Sequence, residues 1–185
     1  MIQIMLIQVE KVWGISYVVN YITELNEVKL ANKVVHGDST KLSLTLWGNR
    51  LTYSRNPESE YGMLSRFYSD TSFNRNDWSL VPALSDSIEY INVYKIETTE
   101  ANAMDTVLIN DMVRIGYNSF FSYIQSNYND ETMISYSETL NDFNTKKIKL
   151  FSCEFYIDIP LLLKANTIKV EIKTFTNKNI TEINL

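Results

Sequence analysis

Few residues in this 185-residue chain are equipped for chemistry. There is one cysteine, Cys153, and one histidine, His36. A single thiol cannot build an internal disulfide framework or a multi-thiolate zinc site, and a single imidazole cannot build a two-histidine metal motif. Cys153 lies in FSCEFYIDIP, residues 151–160. In an extended chain alternate side chains point to opposite faces, so Phe151, Cys153, Phe155, Ile157 and Ile159 share one apolar face. With no histidine in local reach, a thiol in that row reads as core, with a raised pKa, and not as a nucleophile. His36 sits in VVHGDST, where Gly37 and Asp38 read as a turn between two strands.

The acids allow one further chemistry. Glu58, Glu60, Asp70 and Asp77 fall in one irregular stretch, and two carboxylates facing each other across a cleft could cleave a glycosidic bond. NYNDET, residues 127–132, gathers side-chain oxygens but lacks the glycine and the terminal glutamate spacing of a helix-loop-helix calcium site, so it reads as a solvated turn. No glycine-rich phosphate loop, Gly-x-Ser-x-Gly or His-Glu-x-x-His motif occurs. No catalytic residue, metal or cofactor is therefore assigned from sequence.

The remaining cluster suits recognition. Four of the five arginines (Arg50, Arg55, Arg66, Arg75) lie between residues 50 and 75, interleaved with Trp47, Tyr53, Tyr61, Phe67, Tyr68, Phe73 and Trp78. Aromatic rings offer flat apolar area with a polar tip, and guanidinium groups offer planar paired donors; both are enriched at binding surfaces. Tyr61, Arg66, Tyr68, Arg75 and Trp78 are the ligand-binding candidates. The same rings could instead clamp a long loop onto the sheets. In the binding reading Trp47 and Phe67 are expected buried, with Tyr61, Tyr68 and Trp78 partly exposed.

The elements that must position these residues are mostly strands. Asn, Ser and Tyr are plentiful, and Gly (5) and Pro (3) are scarce. The opening MIQIMLIQVEKVW alternates and lacks a basic leader, so it reads as a first strand and a poor signal peptide. Residues 12–35 are strand-rich. KLSLTLWGNRLTYS alternates at Leu42, Leu44 and Leu46 and then reaches a bulge or turn at Trp47-Gly48-Asn49. Residues 54–87 lose all periodicity and read as an irregular loop insertion. SIEYINVYKIETT and TIKVEIKT alternate as strands. Between them, residues 106–128 carry apolar residues at three- and four-residue spacing. These predict a helix after Ser119 and a helical turn around Asn110.

Composition narrows the class. A net charge of −5 and a pI near 5.0 argue against a nucleic-acid binder, which needs a basic field. No segment approaches the ~20 apolar residues of a transmembrane helix. About eight strand-like segments in one domain spanning 1–185 predict a mainly β, two-layer sandwich with one or two short inserted helices.

Two stretches, SIEYINVYKIETTEANAMDTVLINDMV and KIKLFSCEFYIDIPLLLKANTIKVEIKTFTNKNITEINL, resemble exported lipoproteins of Bacteroides-type gut bacteria, a family with no assigned activity. The shared features are a strand leading to an Asn-Asp turn, here Ile109-Asn110-Asp111, then a helical stretch, and a closing hairpin with a proline after its first strand, here Pro160. The resemblance implies an immunoglobulin-like sandwich and export to the periplasm or outer-membrane surface. No lipobox cysteine occurs in this numbering, so a lipid anchor would require an upstream segment. The expected function is a non-catalytic binding or interaction module for a protein or glycan; the alternative is a glycan-directed hydrolase using the loop carboxylates.

Overall fold

The computed structural model describes residues 17–71, 81–98, 104–132, 135–163 and 165–185. The opening apolar run lies outside them. The described chain begins with a long hairpin. β1 (Val19–His36) pairs antiparallel with β2 (Ser39–Arg50) through the two-residue turn Gly37-Asp38 that the sequence predicted. β1 is bulged three times, each time with two of its residues opposing one step of β2. Each bulge shifts the side-chain alternation, so the inward residues of β1 are Ile22, Leu25 and Val28, three apart and not two. The Trp47-Gly48-Asn49 irregularity is the partner side of the first two of these bulges. A Cβ on Gly48 would fall 1.9 Å from the Glu24 carbonyl oxygen, so only glycine lets the kinked backbone approach.

The rest of the chain builds two sheets. The elements are α1 (Glu60–Tyr68), β3 (Val81–Leu84), β4 (Ile88–Thr98), β5 (Met104–Leu108), β6 (Arg114–Asn118), α2 (Phe120–Gln125), β7 (Ser135–Thr139), α3 (Leu140–Asn144), β8 (Phe151–Ser152), β9 (Glu154–Pro160), β10 (Thr167–Thr174) and β11 (Lys178–Asn184). One sheet has the order β7-β6-β9-β2-β1-β3-β8 and the other β11-β10-β4-β5. The protein is a mainly β two-sheet sandwich with few short helices, as predicted. All pairings are antiparallel except β1 with β3, which run parallel. The larger sheet curls back on itself, because β8 and β9 are one strand broken only at Cys153. The Cys153 N–H donates to the Pro82 carbonyl at the end of β3, and its own carbonyl accepts from Leu46 of β2. Cys153 thus stitches a seam between β2 and β3, which lie two places apart in the sheet order.

Between the sheets lies one apolar core. Leu42, Leu44 and Leu46 of β2 meet Ile91 and Val93 of β4 and Ile168, Val170 and Ile172 of β10. The odd residues of 151–159 are all in it, and Cys153 is 1% exposed, so the predicted strand parity holds. Burial pushes the Cys153 thiol up to about 12.

The inserted segments differ from their reading. Residues 106–128 hold the end of β5, a turn over Asn110–Met112, β6 and then α2, which starts after Ser119 and is the predicted helix. The Asn110 side chain explains why that turn misled. It is buried, its Oδ1 accepts the Val93 N–H, and its Nδ2 donates to Asn92, so it satisfies backbone that no strand pairs. Asn144 at the end of α3 does the same for both main-chain groups of Ile91. Within 54–87 the irregular loop contains α1 and β3. Ser59 caps α1 by accepting the Gly62 N–H.

Candidate functional site

The two ends of the larger sheet's outer face have different fates. Over β1, β3 and β8 that face is covered by α1 and α2. Val19 and Tyr21 of β1 point outward there and meet Tyr61 and Tyr68 of α1 and Phe120, Tyr123 and Ile124 of α2. Tyr61 and Tyr68 are 1% and 5% exposed, the reverse of the expected partial exposure. The reason is helical geometry: Tyr61, Ser65 and Tyr68 recur at four and three residues and share the inward stripe. Phe67 is one position off that stripe and 72% exposed. Trp47 is 47% exposed, also against expectation, because odd residues of β2 point away from the inter-sheet core.

This helix layer is a second core made largely of tyrosine. Tyr17, Tyr21, Tyr53, Tyr61 and Tyr68 are linked by ring contacts with centroids 5.2–6.0 Å apart. Each buried hydroxyl needs a partner: Tyr61 donates to the Val19 carbonyl at 2.6 Å and Tyr68 to that of Ser85 at 2.9 Å. At its centre is Asp70, 0% exposed. Its carboxylate accepts the Val18 and Val19 N–H groups at 3.0–3.1 Å and the Tyr128 hydroxyl at 3.2 Å. Burial raises the Asp70 pKa, and these donors only partly oppose the shift.

The sequence candidates therefore separate. Tyr61 and Tyr68 are packing residues. Arg66 is on the exposed side of α1, 3.3 Å from Glu58 in a surface ion pair. Arg75 and Trp78 lie outside the described residues, as does Asp77. Of the acids proposed for hydrolysis, Glu58 and Glu60 are exposed around the start of α1 and Asp70 anchors backbone, so the fold does not bring these three to one cleft.

Among the described residues no helix covers the other half of the same outer face, over β1, β2, β9 and β6. The ladders place its side chains in rows that run across the strands. One row is Asn32, Ser43, Tyr156, Gly116 and Ser137; beside it run Lys29, Thr45 and Glu154. Ser43, Thr45, Gly116, Glu154 and Tyr156 of these rows, together with Asn118 and Ser135, line a groove of about 370 Å³. Its lining includes Tyr156, whose ring covers Gly116. A Cβ at Gly116 would fall 2.0 Å from the Tyr156 Cζ, so the glycine is what admits the ring. The Lys41 ammonium sits 3.5 Å from the centroid of that ring. Further along β2, Trp47 carries Lys29 and Arg50 at 5.2 and 5.9 Å from its centroid.

What marks this groove is how little of its polar chemistry the fold uses. Among the described residues, Ser43, Thr45, Glu154 and Tyr156 make no side-chain hydrogen bond or ion pair. Asn118 uses only its Oδ1, which accepts from Ser135 at 2.8 Å. The smaller sheet's outer face is the opposite case. There Glu171 takes both the Tyr90 hydroxyl at 2.9 Å and Lys178 at 3.0 Å, and Lys169 covers Tyr94. None of the groove's lining residues was singled out from sequence as a binding candidate. Among the described residues no cluster of three His, Cys, Asp or Glu side chains could hold a metal, and no helix is long and apolar enough to cross a membrane.

Comparison with known proteins gives no matching family model, no matching curated protein and no matching solved structure.

Proposed function

We propose that this protein is a non-catalytic binding module that acts at a bacterial cell surface or in the periplasm and engages its partner through the open groove of the larger sheet. The location and the immunoglobulin-like form of the sandwich follow from the family resemblance alone. One observation supports the binding role: a solvent-open row of donors and acceptors around Tyr156 that the fold leaves unused. Unused polar groups beside an aromatic ring are what orient a ligand in a shallow site. The groove's described lining has a single carboxylate, Glu154. Hydrolysis by the usual paired mechanism takes two, one on each side of the scissile bond, so the lining favours binding over the hydrolase reading.

The test is retention without turnover. Wild-type protein and Tyr156→Ala are immobilised and exposed to fractionated bacterial envelope polysaccharide and to envelope protein. The wild type should retain material from one fraction that Tyr156→Ala does not, and no new reducing ends should appear in the polysaccharide over hours. Steady release of reducing ends by the wild type would replace the proposal with the hydrolase.

A further inference from the structure

Resting on that reading, we infer that the groove around Tyr156 takes a neutral oligosaccharide, and that Gly116 and Tyr156 together form its stacking floor. The first reason is position. The groove crosses the face of a sheet, where main-chain groups are already paired in ladders, so a peptide cannot dock here by adding a strand as it would at an edge. Recognition falls to side chains. The second reason is their chemistry. The floor offers one aromatic face, and around it stand two hydroxyls (Ser43, Thr45), an amide (Asn118), a phenol (Tyr156) and a carboxylate (Glu154). A peptide would look for apolar pockets to fill. A pyranose ring instead presents a C–H face to stack on an aromatic ring and a rim of hydroxyls, each both donor and acceptor, to be met by groups of this kind.

The third reason is charge. Glu154 on one side of Tyr156 is balanced by Lys41 over the ring. Lys41 is half-buried and forms no ion pair among the described residues, so a sugar that stacks on the ring displaces its ammonium, which then meets a sugar hydroxyl. The described lining holds no lysine or arginine, the Lys41 ammonium lies over the Tyr156 ring, and Glu154 would repel a uronate or sulfate. The groove is a partly open cleft and not an enclosed cavity, which suits one or two residues of a longer chain rather than an enclosed monosaccharide. Gly116 acts only through Tyr156, as a positioning residue: without a side chain it lets the phenol lie against the strand.

The experiment has two arms scored on the same proteins. Wild type, Tyr156→Ala, Glu154→Gln and Gly116→Ala are applied to an array of defined neutral oligosaccharides with matched uronate and sulfated chains, and separately to a random peptide array. Phe67→Ala, on the helix layer, serves as the off-site aromatic control. A neutral chain bound by wild type and by Phe67→Ala should weaken at least tenfold with Tyr156→Ala and with Glu154→Gln. Gly116→Ala should weaken it while shifting the Tyr156 ring resonances, which a loss of contact alone would not do. Unchanged melting temperature for Glu154→Gln keeps the result independent of folding. Binding confined to anionic chains would overturn the neutral assignment. A peptide-only signal that depends on Tyr156 would overturn the saccharide class but leave the binding module standing. Signals in neither arm that depend on Tyr156 or Glu154 would overturn both.

Discussion

At the scale of single residues, the two groups that invited chemical interpretation, Cys153 and Asp70, are both structural. Cys153 is walled into the inter-sheet core with its pKa pushed up to about 12, so almost no thiolate exists at neutral pH. Native protein should react slowly with a thiol reagent and quickly once unfolded in urea. Cys153→Ser should cost about 1 to 3 kcal/mol, because a buried hydroxyl loses its water without a partner. Rapid native labelling would contradict the packing of the seam. Asp70 makes the opposite compromise, a carboxylate buried for its acceptors. Its folded pKa lies above the ordinary 3.8, so the folded state holds the proton more tightly than the unfolded chain does. The stability this gives is complete below 3.8 and is lost as pH rises through the folded value. Asp70→Asn should remove that dependence, while also placing an amide N–H against the donors of Val18 and Val19. Urea unfolding across pH 4 to 7 checks this. The wild type's advantage over Asp70→Asn should grow as pH falls; an advantage that shrinks would reverse the assigned shift.

Elements explain which parts of the structure could be read in advance. Strands with one apolar and one polar face were legible, because a period of two in KLSLTLW or FYIDI can be satisfied only by a half-buried strand. β1 was not legible as one strand, since three bulges turn its period into three. α1 was missed because its inward stripe is Tyr61, Gly62, Ser65 and Tyr68, residues that score as polar or neutral although they are buried. That stripe supports a clear contrast. Tyr61→Ala should cost about 3 to 5 kcal/mol through the cavity left beside Tyr21 and Tyr17, whereas Phe67→Ala on the opposite side should stay within about 0.5 kcal/mol. Thermal melting of the two variants decides it: equal losses would mean that α1 is rotated from the orientation described. The groove was beyond sequence for a different reason. Ser43, Thr45, Glu154 and Tyr156 could each be placed on an outward face, but only the pairing of β2 with β9 and of β9 with β6 makes them neighbours. Arginines close in the chain suggested a site; hydroxyls far apart in the chain supply a better one.

At the scale of the whole molecule, the larger sheet divides labour between its two ends, one sealed by helices and tyrosines and one left open. The division leaves the groove on a rigid support, since its strands are backed by the full inter-sheet core. The seam at Cys153 has a consequence in time as well as space. β3 and β2 are made early, but the strand that joins them is not synthesised until residue 153. Until then both present unpaired edges, the kind of surface that recruits other chains. Closure depends on contacts distant in sequence, so refolding from urea should take milliseconds to seconds rather than microseconds. A chain cut after Lys149 should form oligomers on size exclusion with light scattering; a folded monomer of that length would show that the sheet closes without its stitch. Biosynthesis of this protein thus has a vulnerable interval set by one strand's place in the chain, and a cell making it in quantity would need to shield the open edges until that strand arrives.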